Sequence, residues 1–101
     1  MKLLTKDIIK KLPALYSQEK AGWLKQKVYA KLFFPANQWT WFLLEMDKED
    51  GDTCFCYTIG HEKEYGYISI KELEGISING LHVERDKWFE PKELDKALNS
   101  E

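Results

Sequence analysis

The residues with the widest chemical reach lie in two stretches, GHEKE at 60–64 and LHVERD at 81–86. His61, Glu62, Glu64 and His82 are of the types that hold zinc or move protons, and a zinc ion with one open position activates water. The spacing is not that of a zincin helix, because the fourth residue after His61 is Tyr65. The competing reading is a polar hairpin loop in which Glu62 or Glu64 caps local backbone N–H groups. Glu84, Arg85 and Asp86 put a guanidinium between two carboxylates. Aimed outward, it would take a ligand carboxylate or phosphate. Otherwise the triplet is an ion-paired corner or a solvated edge, where charge pairs contribute little.

Cys54 and Cys56 supply two thiols and no second pair, whereas structural zinc takes four ligands. Two apart on a strand they face the same way, so a bridge between them would be strained. They read as buried, inert, reduced thiols. Trp39, Trp41, Tyr57 and Tyr67 could instead form a stacking platform for single-stranded nucleic acid, with Lys25, Lys27 and Lys31 supplying charge. Their default role in a small sheet is core packing. A glycine-rich phosphate loop, a G-x-S-x-G elbow and a locally supported Ser-His-Asp or Cys-His pairing are all absent.

These residues must be positioned by short elements. Thr5 to Leu12 predicts a helix, capped by Thr5, with Leu4 and Ile9 placed as a staple and Pro13 as its stop. Ala14 to Gln26 is ambiguous: Tyr16 and Trp23 pack, while Ser17 to Gly22 is loop-like. Lys27 to Phe34 reads as a strand ended by Pro35. Trp39 to Met46 is the clearest strand, apolar on both faces and therefore expected at the centre of a sheet. Asp47 to Asp52 is a charged turn in which Gly51 can adopt positive φ. Thr53 to Ile59 follows as a strand, with Phe55, Tyr57 and Ile59 on one face and the cysteines on the other.

The stretch from Gly60 to Leu73 organises the rest. His61 to Glu64 is the loop and Tyr65 to Ser69 a strand. Ser69 then caps the helix Ile70 to Glu74, with Glu72 reaching back as a capping box. Gly75 sits where a left-handed cap would favour glycine. Ser77 to Gly80 is a turn and Leu81 to Arg85 a short strand. Pro91 to Leu98 is a last helix, with Pro91 at its first position and Phe89 and Leu94 as a staple. Short turns between successive strands favour an antiparallel meander. The fold expected is α+β: one small domain over residues 1–101, with a central antiparallel sheet of about four or five strands. Short helices lie at the N-terminus, after the fourth strand and at the C-terminus.

Composition bounds the function classes. The 101 residues suit one domain, and 44% hydrophobic with 14% aromatic content is enough for a core. Fifteen basic against 17 acidic side chains give a net charge of -2, which argues against non-specific duplex binding. No run approaches the length of a membrane span. The opening MKLLTKDIIKKL is broken by Lys6, Asp7, Lys10 and Lys11, unlike a signal peptide. A cytoplasmic location is therefore expected.

Four segments, LLTKDIIKKLPALY, QWTWFLLEMD, GHEKEYGYISIKELE and VERDKWFEP, together resemble the bacterial family known as domain of unknown function 2958. They span nearly the full length in order. Tyr65 and the insert-like EKAGWLKQK depart from the family pattern away from the motif centres. The resemblance implies a cytoplasmic bacterial protein often carried on plasmids and integrative elements. It implies no established activity, cofactor or catalytic residue. The expectation is thus a non-enzymatic protein that binds a protein partner through an exposed sheet edge or aromatic patch, in a mobile-element or anti-defence setting, without cofactor or metal. The candidate binding residues are Glu62, Glu64, Glu84, Arg85, Asp86, Trp39 and Trp41. One alternative is single-stranded nucleic-acid binding through the aromatic strands; another is a small metal-dependent enzyme at the His61 loop.

Overall fold

The run Trp39–Met46 has too many apolar side chains for one face, and the structure resolves that by covering both. In the computed structural model, which describes residues 2–100, strand β3 (Thr40–Met46) is buried along its whole length. It sits in the middle of a five-stranded antiparallel sheet of order β5-β4-β3-β2-β8. Its neighbours are β2 (Ala30–Phe33) and β4 (Thr53–Ile59), and the edges are β5 (Lys63–Ser69) and β8 (Glu84–Arg85). The expected α+β fold and antiparallel meander are what is observed. Among the described residues no helix is long and apolar enough to cross a membrane.

One face carries Ala30, Leu32, Trp41, Leu43, Met46, Cys54 and Cys56, closed by Leu3, Leu4, Leu12, Ile70, Leu73 and Val83. The other carries Val28, Phe42 and Leu44, covered by Leu94 and Ala97, with Phe55, Tyr57 and Tyr65 packed alongside. A β-bulge interrupts the alternation in β3: Leu43 pairs with Cys56, but Glu45 pairs with Phe55. The extra residue restores Met46 to the first face, opposite Cys54, and moves Glu45 onto the second. Unbroken alternation would have driven the Glu45 carboxyl into the apolar core beside Leu43.

Several local expectations hold. Thr5 accepts from Ile8 N at the start of α1 (Lys6–Lys11), and Ser69 accepts from Glu72 N at the start of α2 (Ile70–Glu74). Gly51 has φ 61 in the turn before β4. Others are corrected. The return bond from Glu72 is not made among the described residues; Asp52 instead supports this helix start, accepting from Lys71 N at 2.8 Å and from the Ser69 hydroxyl at 2.5 Å. Gly75 is right-handed, with φ -84, so no left-handed cap forms. The strand expected over 27–34 is divided at Tyr29: β1 (Lys27–Val28) leaves the main sheet to pair with β9 (Lys92–Glu93). That pairing takes the residues after Pro91 into strand, and α3 (Leu94–Asn99) begins three residues later than expected. Leu81 to Arg85 is likewise divided, because β7 (Leu81–His82) closes a small hairpin with β6 (Ser77–Ile78) and Val83 turns into the core. Strand β5 begins at Lys63 rather than Tyr65, shortening the preceding loop.

Candidate functional site

A carboxylate placed by the bulge needs partners, and the segment after α1 supplies them. Glu45 is only 4% exposed. Its Oε1 accepts from Tyr16 N at 2.9 Å and its Oε2 from Gln18 N at 2.8 Å. Gln18 completes the tie: its amide donates to Leu44 O and Lys27 O, and accepts from Lys27 N. The segment therefore runs against the end of β3 that β2 leaves open, with Met46 N bonded to Pro13 O. Tyr16 is held at φ 72, an uncommon conformation for so bulky a residue, and sits where Glu45 grips its amide.

Above this base lies a cluster of rings. Trp23, in a 3₁₀ turn at Trp23–Lys25, lies 4.5 Å from the Tyr65 ring, and the Tyr65 hydroxyl donates to Trp23 O. Phe55 stacks on Tyr65 and tilts against Tyr67 at 5.2 Å. Tyr67 shares a cross-strand position with Phe55, which is itself opposite Glu45, so a carboxylate and two rings form one row across the sheet. Tyr16 and Trp23 are 63% and 61% exposed, and Tyr67 is exposed too. Together with Glu19, Gln26 and Glu45 they line a cleft of about 430 Å³. The neighbouring Tyr16 hydroxyl raises the pKa of the Tyr67 phenol above its ordinary value, burial adds to this, and Glu45 and Glu19 add through their charge. Gln26, which also lines the cleft, has its Oε1 buried and without a hydrogen-bond partner among the described residues.

Of the residues singled out from sequence, Tyr67 lines this cleft; the others fall elsewhere and are dispersed. Trp41 is 6% exposed, and Trp39 is half-buried against it, against His61 and over Gly60. His61, Glu62 and Glu64 are exposed at the β4–β5 turn and along β5, whereas His82 lies on the separate β6–β7 hairpin. They do not assemble: among the described residues no three His, Cys, Asp or Glu side chains are placed to hold a metal. Arg85 is not held between its neighbours. Its Nη1 donates to Leu3 O at 2.6 Å, fastening the first segment to the sheet. Asp86 caps its own turn through Trp88 N and lies 4.0 Å from Lys31, while Glu84 is exposed opposite Phe33. Cys54 and Cys56 are fully buried free thiols; burial pushes them up to about 12 and about 11.

Of the four strand rings named from sequence, Tyr67 stands outside, while Trp39, Trp41 and Tyr57 are buried or half-buried. Tyr16 and Trp23 come from a segment without clear periodicity, and their exposure depends on a tertiary anchor. One signal was available: Glu45 is the single charge in the run 39–46. A lone acid there marks either a strand end or a bonded carboxylate.

Comparison with curated proteins and with solved structures gives no match. Residues 3–96, nearly all of the chain and all four of the segments that carried the resemblance, match the family described as protein of unknown function DUF2958, and the chain belongs to that family.

Proposed function

We propose that this chain is a non-enzymatic binding module that takes a protein partner at the aromatic cleft and the adjoining free edge of β5. The observation that carries the reading is three exposed rings, Tyr16, Trp23 and Tyr67, beside a terminal strand of the sheet. Large exposed aromatics grouped at one place mark interaction surfaces, since a ring brings much contact area at little entropic cost. A terminal strand offers unpaired backbone groups to an incoming segment. Gly66, midway along β5, leaves open space where a side chain would stand. The setting we propose with it is a cytoplasmic bacterial protein of mobile elements, acting on a host or element protein.

Cross-linked capture from bacterial extract tests this, comparing the wild type with Trp23→Ala and with Lys63→Pro, which removes an outward-facing N–H from the exposed edge while leaving the ladder to β4 intact. A partner held by the wild type and lost from both variants supports the reading. Turnover of a nucleotide or nucleic acid that disappears in Glu84→Ala or Glu62→Ala would overturn it.

One observation favours a second reading. Trp88 is 91% exposed at a broad cleft lined also by Lys63, Arg85 and Lys87, with Glu84 and Asp86 among them. A bare indole among cations suits a stacked base and its phosphate. That reading requires Trp fluorescence to be quenched by oligonucleotide at low salt, the quenching fading as salt rises and vanishing in Trp88→Ala.

A further inference from the structure

We propose that the cleft over Glu45 receives an arginine side chain of the protein partner, its guanidinium lying against the exposed rings with the Glu45 and Gln26 acceptors beneath. This deepens the partner-binding reading and rests on it. Charge selects the class of occupant. The cleft is lined by two carboxylates, Glu19 and Glu45, and by no cationic side chain. The nearby Lys25 is committed to Asp95 at 2.7 Å. Four rings, of Tyr16, Trp23, Phe55 and Tyr67, also line it, and ring faces attract cations.

Hydrogen-bonding capacity narrows it further. Each Glu45 oxygen accepts one backbone N–H, which leaves each with acceptor capacity to spare. Gln26 Oε1 is a buried acceptor without a donor among the described residues. A quaternary ammonium offers no donor and would leave these groups unmet. A lysine ammonium has donors but is strongly hydrated, and stripping it to lie against the rings is costly. Guanidinium is planar, carries five donors in a fork, stacks on rings and is more weakly hydrated. A volume of about 430 Å³ accommodates such a group.

The test uses the full chain, isotope-labelled, titrated with a capped pentapeptide containing one arginine among glycines. Matched peptides carry lysine, trimethyllysine or citrulline in its place. The arginine peptide is expected to shift the amide signals of Tyr16 and Gln18 and the Trp23 indole signal. The citrulline peptide should leave them in place. Tyr67→Ala should weaken the arginine peptide by about tenfold, the loss of one well-placed ring. Glu45→Gln should do at least as much, and Tyr67→Ala, altered only at an exposed position, keeps the test decisive if Glu45→Gln folds poorly. Equal binding of citrulline, or tighter binding of lysine or trimethyllysine, overturns the proposal. So does the absence of arginine-dependent shifts. If arginine fails while captured partner is still lost from Trp23→Ala, the partner reading stands with a different occupant. If capture fails too, both fall.

Discussion

Replacing Gly60 with alanine should destabilise the protein although it adds a single methyl group to a half-buried turn. A Cβ built there falls 2.5 Å from two carbons of the Trp39 ring and 2.7 Å from a third. These are ring atoms, so no flexible tip can step aside. The indole is hemmed in by Trp41, with centroids 6.0 Å apart, and by the edge-on His61 ring at 5.4 Å. Overpacking of this kind costs about 1–3 kcal/mol. The reduced freedom of the unfolded chain offsets about 0.4–1 kcal/mol. A net loss of about 1 kcal/mol corresponds to a Tm lower by about 4–8 °C for a chain of this size. Thermal and urea unfolding followed by circular dichroism would measure it. Trp39→Leu in the same chain should remove much of the penalty, giving a favourable coupling between the two sites. If Gly60→Ala melts at or above the wild-type temperature, the close approach of indole to backbone is not what reserves this position for glycine.

Gly75→Ala should behave in the opposite way. The residue is already right-handed and its Cβ would meet carbonyl oxygens at 3.5 and 3.6 Å, so a gain of about 0.4–1 kcal/mol is expected in the same unfolding assay. Glu45→Ala should cost about 2–3 kcal/mol, because two backbone amides lose a charged acceptor, and limited proteolysis should then cut between Tyr16 and Gly22. Cys54 and Cys56 should resist alkylation at pH 8 until the protein is unfolded, since only the thiolate reacts. Both folded thiols lie above the ordinary value of 9.0, so their stabilising effect is intact below pH 9 and is lost as pH rises towards 11 and 12. Urea midpoints measured at pH 8 and pH 10.5 should show that fall, and it should shrink in the Cys54→Ala, Cys56→Ala double variant.

Much of the fold was legible because it rests on local rules. An apolar run on both faces put β3 at the centre, and Ser69 marked the start of α2. Gly51 marked the turn before β4. What was not legible depends on distant partners. Nothing near Lys27 announces that it will pair with Glu93, and that pairing overrides the ordinary preference of Pro91 for a helix start. Gly75 looked like a left-handed cap, yet its amide is satisfied by Lys71 O and Glu72 O without leaving the right-handed region. The candidate cleft was hidden for a similar reason. A period of two cannot reveal where a bulge will change phase, so Glu45 could not be assigned to a face. Residue type alone also does not separate Trp41, sealed in the core, from Trp23, which stands at the surface because Glu45 and Gln18 anchor the segment leading to it.

The order of strands in the sheet sets a sequence of events during folding. Strands β2 to β5 are joined by short turns and pair with their immediate successors, so their contacts close small loops and can form early. The chain leaving β5 must instead cross back past β4 and β3 before β8 can pair with β2, and Leu3 waits for both Glu74 and Arg85 before its amide and carbonyl are bonded. The same ordering run backwards makes this seam the first part of the sheet to let go. Amide hydrogen exchange should therefore be slowest in β3 and β4 and fastest at the seam where residues 3, 74 and 85 meet.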